Sequence, residues 1–176
     1  STQNGEATAR TIIDGNGGGG EYITSASVEQ EAKAFNIGCD GTCSNEIDTT
    51  NNGKATAIST GAGGSGGSYE TGAAIKQSVV AFNIDCSGTC SNDILQDNSA
   101  QATAQTAGGG GSGDYETGAS VEQSAVAFNI GCSGTCTNSL DQTNRGVATA
   151  QTTAGGGGSG SGESTAGVKQ KAVQFN

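Results

Sequence analysis

Histidine is absent from this sequence, and so are proline, methionine and tryptophan. Without histidine no Ser-His-Asp type of triad can be built. Carboxylates such as Glu122 and Asp141 remain, but they read as a solvated face. No polar constellation breaks the repeat symmetry, so the chain is read as a non-enzyme without a cofactor. Large apolar residues are scarce: Leu, Ile, Val and Phe together are 24 of 176 residues, about 14%. With a net charge of −10, that level ordinarily accompanies disorder. No stretch approaches the roughly 20 apolar residues of a membrane span. Basic residues are also few, 7 Lys and Arg against 17 Asp and Glu, with a pI near 4.1. That balance argues against nucleic acid and anionic membranes as partners. No Asn-X-Ser/Thr sequon is present, which removes N-glycosylation from consideration. No signal peptide is visible, and Ser1 is read as a mature N-terminus left after cleavage.

What the chain does contain is repetition. All six cysteines lie in three copies of one stretch: Lys33-Ala-Phe-Asn-Ile-Gly-Cys39-Asp-Gly-Thr-Cys43, Val80-Ala-Phe-Asn-Ile-Asp-Cys86-Ser-Gly-Thr-Cys90 and Val126-Ala-Phe-Asn-Ile-Gly-Cys132-Ser-Gly-Thr-Cys136. Each reads as a β-hairpin tipped by a disulfide. In an antiparallel hairpin opposed residues have a constant sum of numbers. If Cys132 faces Cys136, then Phe128 faces Leu140; likewise Phe82 faces Ile94, and Phe35 faces Ile47. Such aromatic–aliphatic pairs contribute roughly 0.2–1 kcal/mol over Ala–Ala. Period-two alternation then places Phe128, Ile130, Cys132, Cys136 and Leu140 on one face, and a one-residue slip would break all three Phe pairs. The expected core is therefore Phe35, Ile47, Phe82, Ile94, Phe128 and Leu140, with disulfides Cys39–Cys43, Cys86–Cys90 and Cys132–Cys136. The even, paired cysteines point to an oxidising, extracellular or cell-surface setting.

The period is 46 to 48 residues, marked four times by Phe-Asn and four times by Ala-Thr-Ala. Each copy holds a Thr/Ala-rich strand, a Gly-rich loop and a strand ending on Phe-Asn. One domain spans 1–176, with units at approximately 1–36, 37–83, 84–129 and 130–176. The predicted fold is all-β: an antiparallel tandem-repeat structure of about eight strands in a stacked two-layer sheet. A closed eight-stranded barrel or a β-solenoid is the alternative. Gln30, Gln77, Gln123 and Gln170 occupy matched positions, as do Asn36, Asn83, Asn129 and Asn176. Amides in register can hydrogen-bond as ladders, as in cross-β stacks. Strands after each cysteine have a small inner face, such as Leu140, Gln142, Asn144, Gly146, Ala148 and Ala150, and an acidic, hydroxylated outer face.

Other site readings rank lower. Zinc needs four ligands, and three cysteine pairs do not divide into such sites without a remainder. Gly15-Asn-Gly17-Gly-Gly-Gly20 matches G-x-G-x-x-G formally but lacks a βαβ context. Gly110-Gly-Ser-Gly-Asp114 has some of the look of calcium-binding nonapeptides, yet the other loops lack the Asp, so calcium ranks below a solvated loop.

Disulfide-tipped strands, Gln/Asn ladders, small residues and tandem repeats together resemble cell-surface fibre proteins of the functional-amyloid kind, in particular the acidic, cysteine-containing proteins of tubular sheaths around methanogenic archaea. The resemblance implies a resistant extracellular wall of subunits joined strand to strand. The expected function is thus a structural subunit that pairs with itself into a filament or sheath; a monomeric adhesin or ligand-binding β-domain is the alternative. By repeat alignment Ser1 corresponds to Gln142, and Val173 to Val126, which are opposed in the hairpin register. Ser1 of one subunit is therefore expected opposite Val173 of the next, with Ala7 and Phe175 in the same interface. Unpaired edges of this kind template pairing with another chain.

Overall fold

The computed structural model describes residues 2–13, 20–61, 67–108, 113–154 and 161–176. It contains eight strands: β1 Thr2–Ile13, β2 Glu21–Ile37, β3 Asp40–Gly61, β4 Ser68–Ile84, β5 Ser87–Gly108, β6 Asp114–Ile130, β7 Thr135–Ala154 and β8 Gly162–Phe175. They form two four-stranded sheets, β1-β3-β5-β7 and β2-β4-β6-β8. Every pairing is parallel, and each residue meets its own counterpart from the next repeat: Ala7↔Ala55, Ala55↔Ala102, Phe35↔Phe82. The chain crosses from one sheet to the other at every turn. One strand from each sheet makes a layer, and four layers stack. At about 4.8 Å per layer the stack is roughly 19 Å tall. No helix among the described residues is long and apolar enough to cross a membrane.

The fold is all-β and built of repeats, but the antiparallel assignment is overturned. Strands flanking a cysteine turn do not hydrogen-bond to each other as a backbone ladder. They face each other through side chains across the two sheets: Asn129 Nδ2 donates to Asn138 Oδ1 at 3.0 Å. Backbone pairing goes instead to the counterpart one repeat away. Local alternation cannot distinguish these geometries, because both bring the two cysteines of a turn near one another. What separates them is the corner residue. Gly38 (φ 62°), Asp85 (φ 53°) and Gly131 (φ 66°) take left-handed conformations just before Cys39, Cys86 and Cys132. That conformation suits glycine and is tolerated by aspartate. It shifts the parity: Asn129 and Cys132 both point inward, although three positions apart.

The shift turns the phenylalanines outward, so the expected Phe35–Ile47, Phe82–Ile94 and Phe128–Leu140 pairs do not form. Phe35 is 51% exposed and Phe175 59% exposed. Phe35, Phe82 and Phe128 stack on one another along the outer face of the second sheet, with centroids 5.4 and 5.2 Å apart. Ile47 and Ile94 are buried, with Leu140 beside them, against Val79, Ala81 and Ala127. The inner faces of β3, β5 and β7 are as the alternation predicts.

The interior is thin. Its largest cluster is mostly alanine, with Val28, Ile75 and Val121. Glycines sit across from these β-branched residues: a Cβ on Gly53 would lie 2.8 Å from Ile75 Cγ2, and one on Gly146 would lie 2.8 Å from Val168 Cγ1. Larger residues there would force the sheets apart. Polar side chains fill much of the rest, and stacking satisfies most of them. Asn36, Asn83, Asn129 and Asn176 form one ladder at 2.9 Å per step. Gln30, Gln77, Gln123 and Gln170 form a second at 2.7 to 3.0 Å. A buried amide without partners costs several kcal/mol at the upper end; here each ladder step supplies one.

Candidate functional site

Three features stand out on this scaffold: the two end layers, the cysteine turns and the outer faces. The end layers are β1 with β2 and β7 with β8. Each strand there has a paired edge and an open one. The amide ladders reach these open edges with a defined polarity. In the Asn ladder each Nδ2 donates toward the last layer, so the series ends on Asn176 Nδ2, which has no acceptor among the described residues. In the Gln ladder each Nε2 donates toward the first layer, and Gln170 Oε1 ends that series as an acceptor. Asn36 Oδ1 stands at the opposite end, ready to accept.

Charge follows the same axis. Glu29, Lys76, Glu122 and Lys169 occupy one column on the outer face of the second sheet. Lys76 Nζ lies 3.1 Å from Glu29, and Lys169 Nζ lies 3.3 Å from Glu122. The hydrogen bond and charge of Glu29 raise the pKa of Lys76. Sequence reasoning passed over this column, although its signal is plain: matched positions at the repeat spacing with alternating sign. It also passed over a hydroxyl chain between the sheets, in which Thr71, Thr106, Thr117 and Thr152 link at 2.8 Å per step. Where the repeat varies, partners are lost. Thr49 replaces the glutamine found at Gln96 and Gln142, and both Thr49 Oγ1 and Gln96 Nε2 are buried without partners among the described residues.

No family model, curated protein or solved structure matches the chain.

The cysteines gather in one column at the turns between layers, packed as a cluster of their own. Cys39 and Cys43 are bonded, with Cα atoms 6.3 Å apart. Cys86, Cys90, Cys132 and Cys136, expected as two further bridges, are thiols in this structure. The sulfurs of Cys43, Cys86 and Cys90 lie within 4.8 Å of one another, as do those of Cys90, Cys132 and Cys136. Burial pushes the Cys90 thiol up to about 12, helped by hydrogen bonds with Cys132 and Cys86. A hydrogen bond with Cys132, then burial, raises Cys136. The Cys90 thiol thus stays protonated at neutral pH and is a poor nucleophile. The first trio includes a disulfide sulfur, which is no thiolate ligand. The second has three thiols whose counterparts in the first layer are bridged, so oxidation competes with any soft metal for them.

The remaining interface residues fall as follows. Ser1 lies outside the described residues. Ala7 points inward against the alanine cluster. Val173 is half-buried and pairs with Val126, and Phe175 lies 6.0 Å from Phe128. The contact of Ser1 with Val173 belonged to antiparallel pairing and falls with it. In a parallel stack β7 could meet only a β1 edge, and β8 only a β2 edge. The G-x-G-x-x-G match falls mainly on residues 14–19, and the calcium reading at Gly110 on residues 109–112; both segments lie outside the described residues. Asp114 itself accepts a hydrogen bond from Ser161 Oγ at 2.6 Å.

Proposed function

We propose that the chain is a structural subunit that polymerises head to tail, by strand pairing between copies, into an extracellular filament or sheath. The observation that carries this reading is the match between the two end layers. Stacking the first layer of one copy on the last layer of another, in the register used inside the chain, sets Asn176 Nδ2 against Asn36 Oδ1. It sets Gln170 against Gln30, Phe175 against Phe35, and Lys169 against Glu29. The donor, the ring and the charge alternation all continue without a fault. A contact of this kind does not close on itself and so generates an open filament. Open edges of flat, in-register strands are templates for such pairing. The Cys39–Cys43 disulfide supports an oxidising setting outside the cell.

Asn176→Asp tests the reading. Asn176 Oδ1 accepts from Asn129 and Asn138 at 2.9 and 2.7 Å, and a carboxylate still accepts both. Toward the next copy, however, it would place an acceptor against the Asn36 acceptor. Losing one bond and leaving the facing groups unsatisfied costs about 1–3 kcal/mol, or roughly a 5- to 150-fold rise in the concentration needed for assembly. Sedimentation and electron microscopy measure that concentration. Below about pH 4 the introduced carboxyl protonates, regains a donor, and assembly should recover. Equal assembly of the variant and the parent at pH 7 would refute head-to-tail stacking.

A further inference from the structure

The outer face of the second sheet carries a ridge and a groove. The ridge is the phenylalanine column with the isoleucine column beside it; Ile37 is 70% exposed and Ile130 45% exposed. The groove lies nearer the start of each strand, where the outward residues are small: Gly72, Ala74, Gly118 and Ser120 line a depression of about 340 Å³. A Cβ built on Gly72 or Gly118 meets nothing within 4 Å. Parallel strands rise about 3.3 Å per residue. Phe82 lies four positions beyond Ser78, and Ala74 four positions before it. Ile84 and Gly72 lie six positions to either side. The same spacing holds in the layers above and below, because the register is unbroken.

We infer that this face pairs with the same face of a second copy, about a two-fold axis running along the stack through the Ser78 column. The inference deepens the filament reading by naming how stacks associate sideways. Under that symmetry the Phe column of each copy enters the Ala74 column of the other, and the Ile column enters the Gly72 column. The contact is self-complementary, as a two-fold interface must be. Only a partner with the same layer spacing meets the rings row by row, which selects another copy of this chain. The column between ridge and groove alternates Glu29, Lys76, Glu122 and Lys169, and so is neutral as a whole. The symmetry brings Lys33, already 2.8 Å from Glu31, opposite Glu29 of the second copy. On the axis itself Glu31 and Lys171, at the two ends of the Ser78 column, each meet their own copy, a repulsion offset in the head-to-tail stack, where Lys171 lies against Glu31 of the next copy. From the Gly72 column to the Ile84 column the face spans roughly 40 Å by 19 Å, or about 760 Å² per copy, close to the size of a standard specific interface.

Gly72→Val with Gly118→Val tests the pairing. Both side chains would point into open space within one stack, so the layers keep their own packing, while the groove is filled. One chain of 17.0 kDa per roughly 19 Å gives about 0.9 kDa/Å for a single stack and twice that for a pair. Scanning transmission microscopy is expected to show the doubled value for the parent protein and half of it for the variant. A single-stack value for the parent, or a doubled value that survives the filled groove, overturns the inference while leaving head-to-tail stacking intact. If the protein forms no filaments, the filament reading fails, and sedimentation equilibrium decides the pairing alone. A parent mass of twice 17.0 kDa that halves in the variant supports it, and a monomeric parent overturns it.

Discussion

Asn92 offers the sharpest test of how the stack is held together. Its side chain is 1% exposed. Nδ2 donates to Phe128 O at 2.9 Å, to Asn129 Oδ1 at 3.0 Å and to Asn138 Oδ1 at 2.8 Å. Oδ1 accepts from Asn45 Nδ2 at 2.9 Å. One residue thus ties β3, β6 and β7 together from β5. The three Nδ2 contacts share two protons, so they are worth less than three separate bonds. At about 1 kcal/mol net per bond, and with Asn45, Asn129 and Asn138 retaining other partners, Asn92→Ala should cost about 2–3 kcal/mol. Asn92→Asp keeps the shape but puts a carboxylate among three oxygen acceptors. A buried charge without a partner costs about 3–5 kcal/mol, so at pH 7 this substitution should be the worse of the two. The pH dependence fixes the cause. Burial and the facing oxygens raise the folded-state pKa of the introduced carboxyl above its unfolded value near 4. The stability of the variant is therefore fullest below about pH 4 and declines as pH rises toward the folded pKa. Urea unfolding followed by circular dichroism, at pH 3 and pH 7, measures both effects. If Asn92→Asp loses no more at pH 7 than at pH 3, the ladder account of this interior is wrong.

Two further outcomes follow from the turns. Gly131→Ala should destabilise more than Gly38→Ala: both have positive φ, but a Cβ at 131 also meets the Asp85 carboxylate, whereas one at 38 meets nothing within 4 Å. The conformational part is about 1–2 kcal/mol, and equal losses in thermal melts would refute the contact. Non-reducing peptide mapping of air-oxidised protein should find Cys86–Cys90 and Cys132–Cys136 beside Cys39–Cys43, because these pairs occupy equivalent turns; a bridge between layers would contradict that.

Much of this architecture was legible in the residues. The period, the eight strands, the Gln and Asn ladders and the inward faces of β3, β5 and β7 all follow from matched positions and alternation. The direction of pairing did not follow. A hairpin and a turn between facing sheets place Cys132 near Cys136 alike, and only the left-handed residue at 38, 85 and 131 tells them apart. Asp85 hid that signal, since two glycines and one aspartate look like ordinary variation. Once the parity at the turn was misassigned, Phe35, Phe82 and Phe128 went to the wrong side, because a large aromatic residue in a chain so poor in them reads as core. The stack needs no such core. Its interior is alanine, valine, isoleucine and paired amides with a stack of Tyr22, Tyr69 and Tyr115, and its phenylalanine rings are left on the outside.

An in-register parallel stack carries a hazard that antiparallel pairing avoids: every charge falls beside its own copy, so a faithfully repeated acid becomes a column of like charges. With a net charge of −10 this chain has many acids to place. It departs from perfect repetition where fidelity would be costly. Glu29 is followed by Lys76, Glu122 and Lys169, and Glu6 by Lys54, whose ammonium lies 3.3 Å away. Glu46 and Asp93 are succeeded by Ser139, and Leu95 separates Asp48 from Asp141. Columns that gain from meeting their own copy are held constant instead: the Asn36-to-Asn176 and Gln30-to-Gln170 ladders, the phenylalanines and the cysteines. Like charges still meet at the Glu46–Asp93 step and in a full column where Glu70, Glu116 and Glu163 succeed one another on the outer face of the second sheet, beside the groove. Exposed like charges at that spacing repel less as salt rises. The pattern of constancy and change therefore follows which contacts stacking makes favourable, which is the expected mark of a sequence shaped to stand in register with itself.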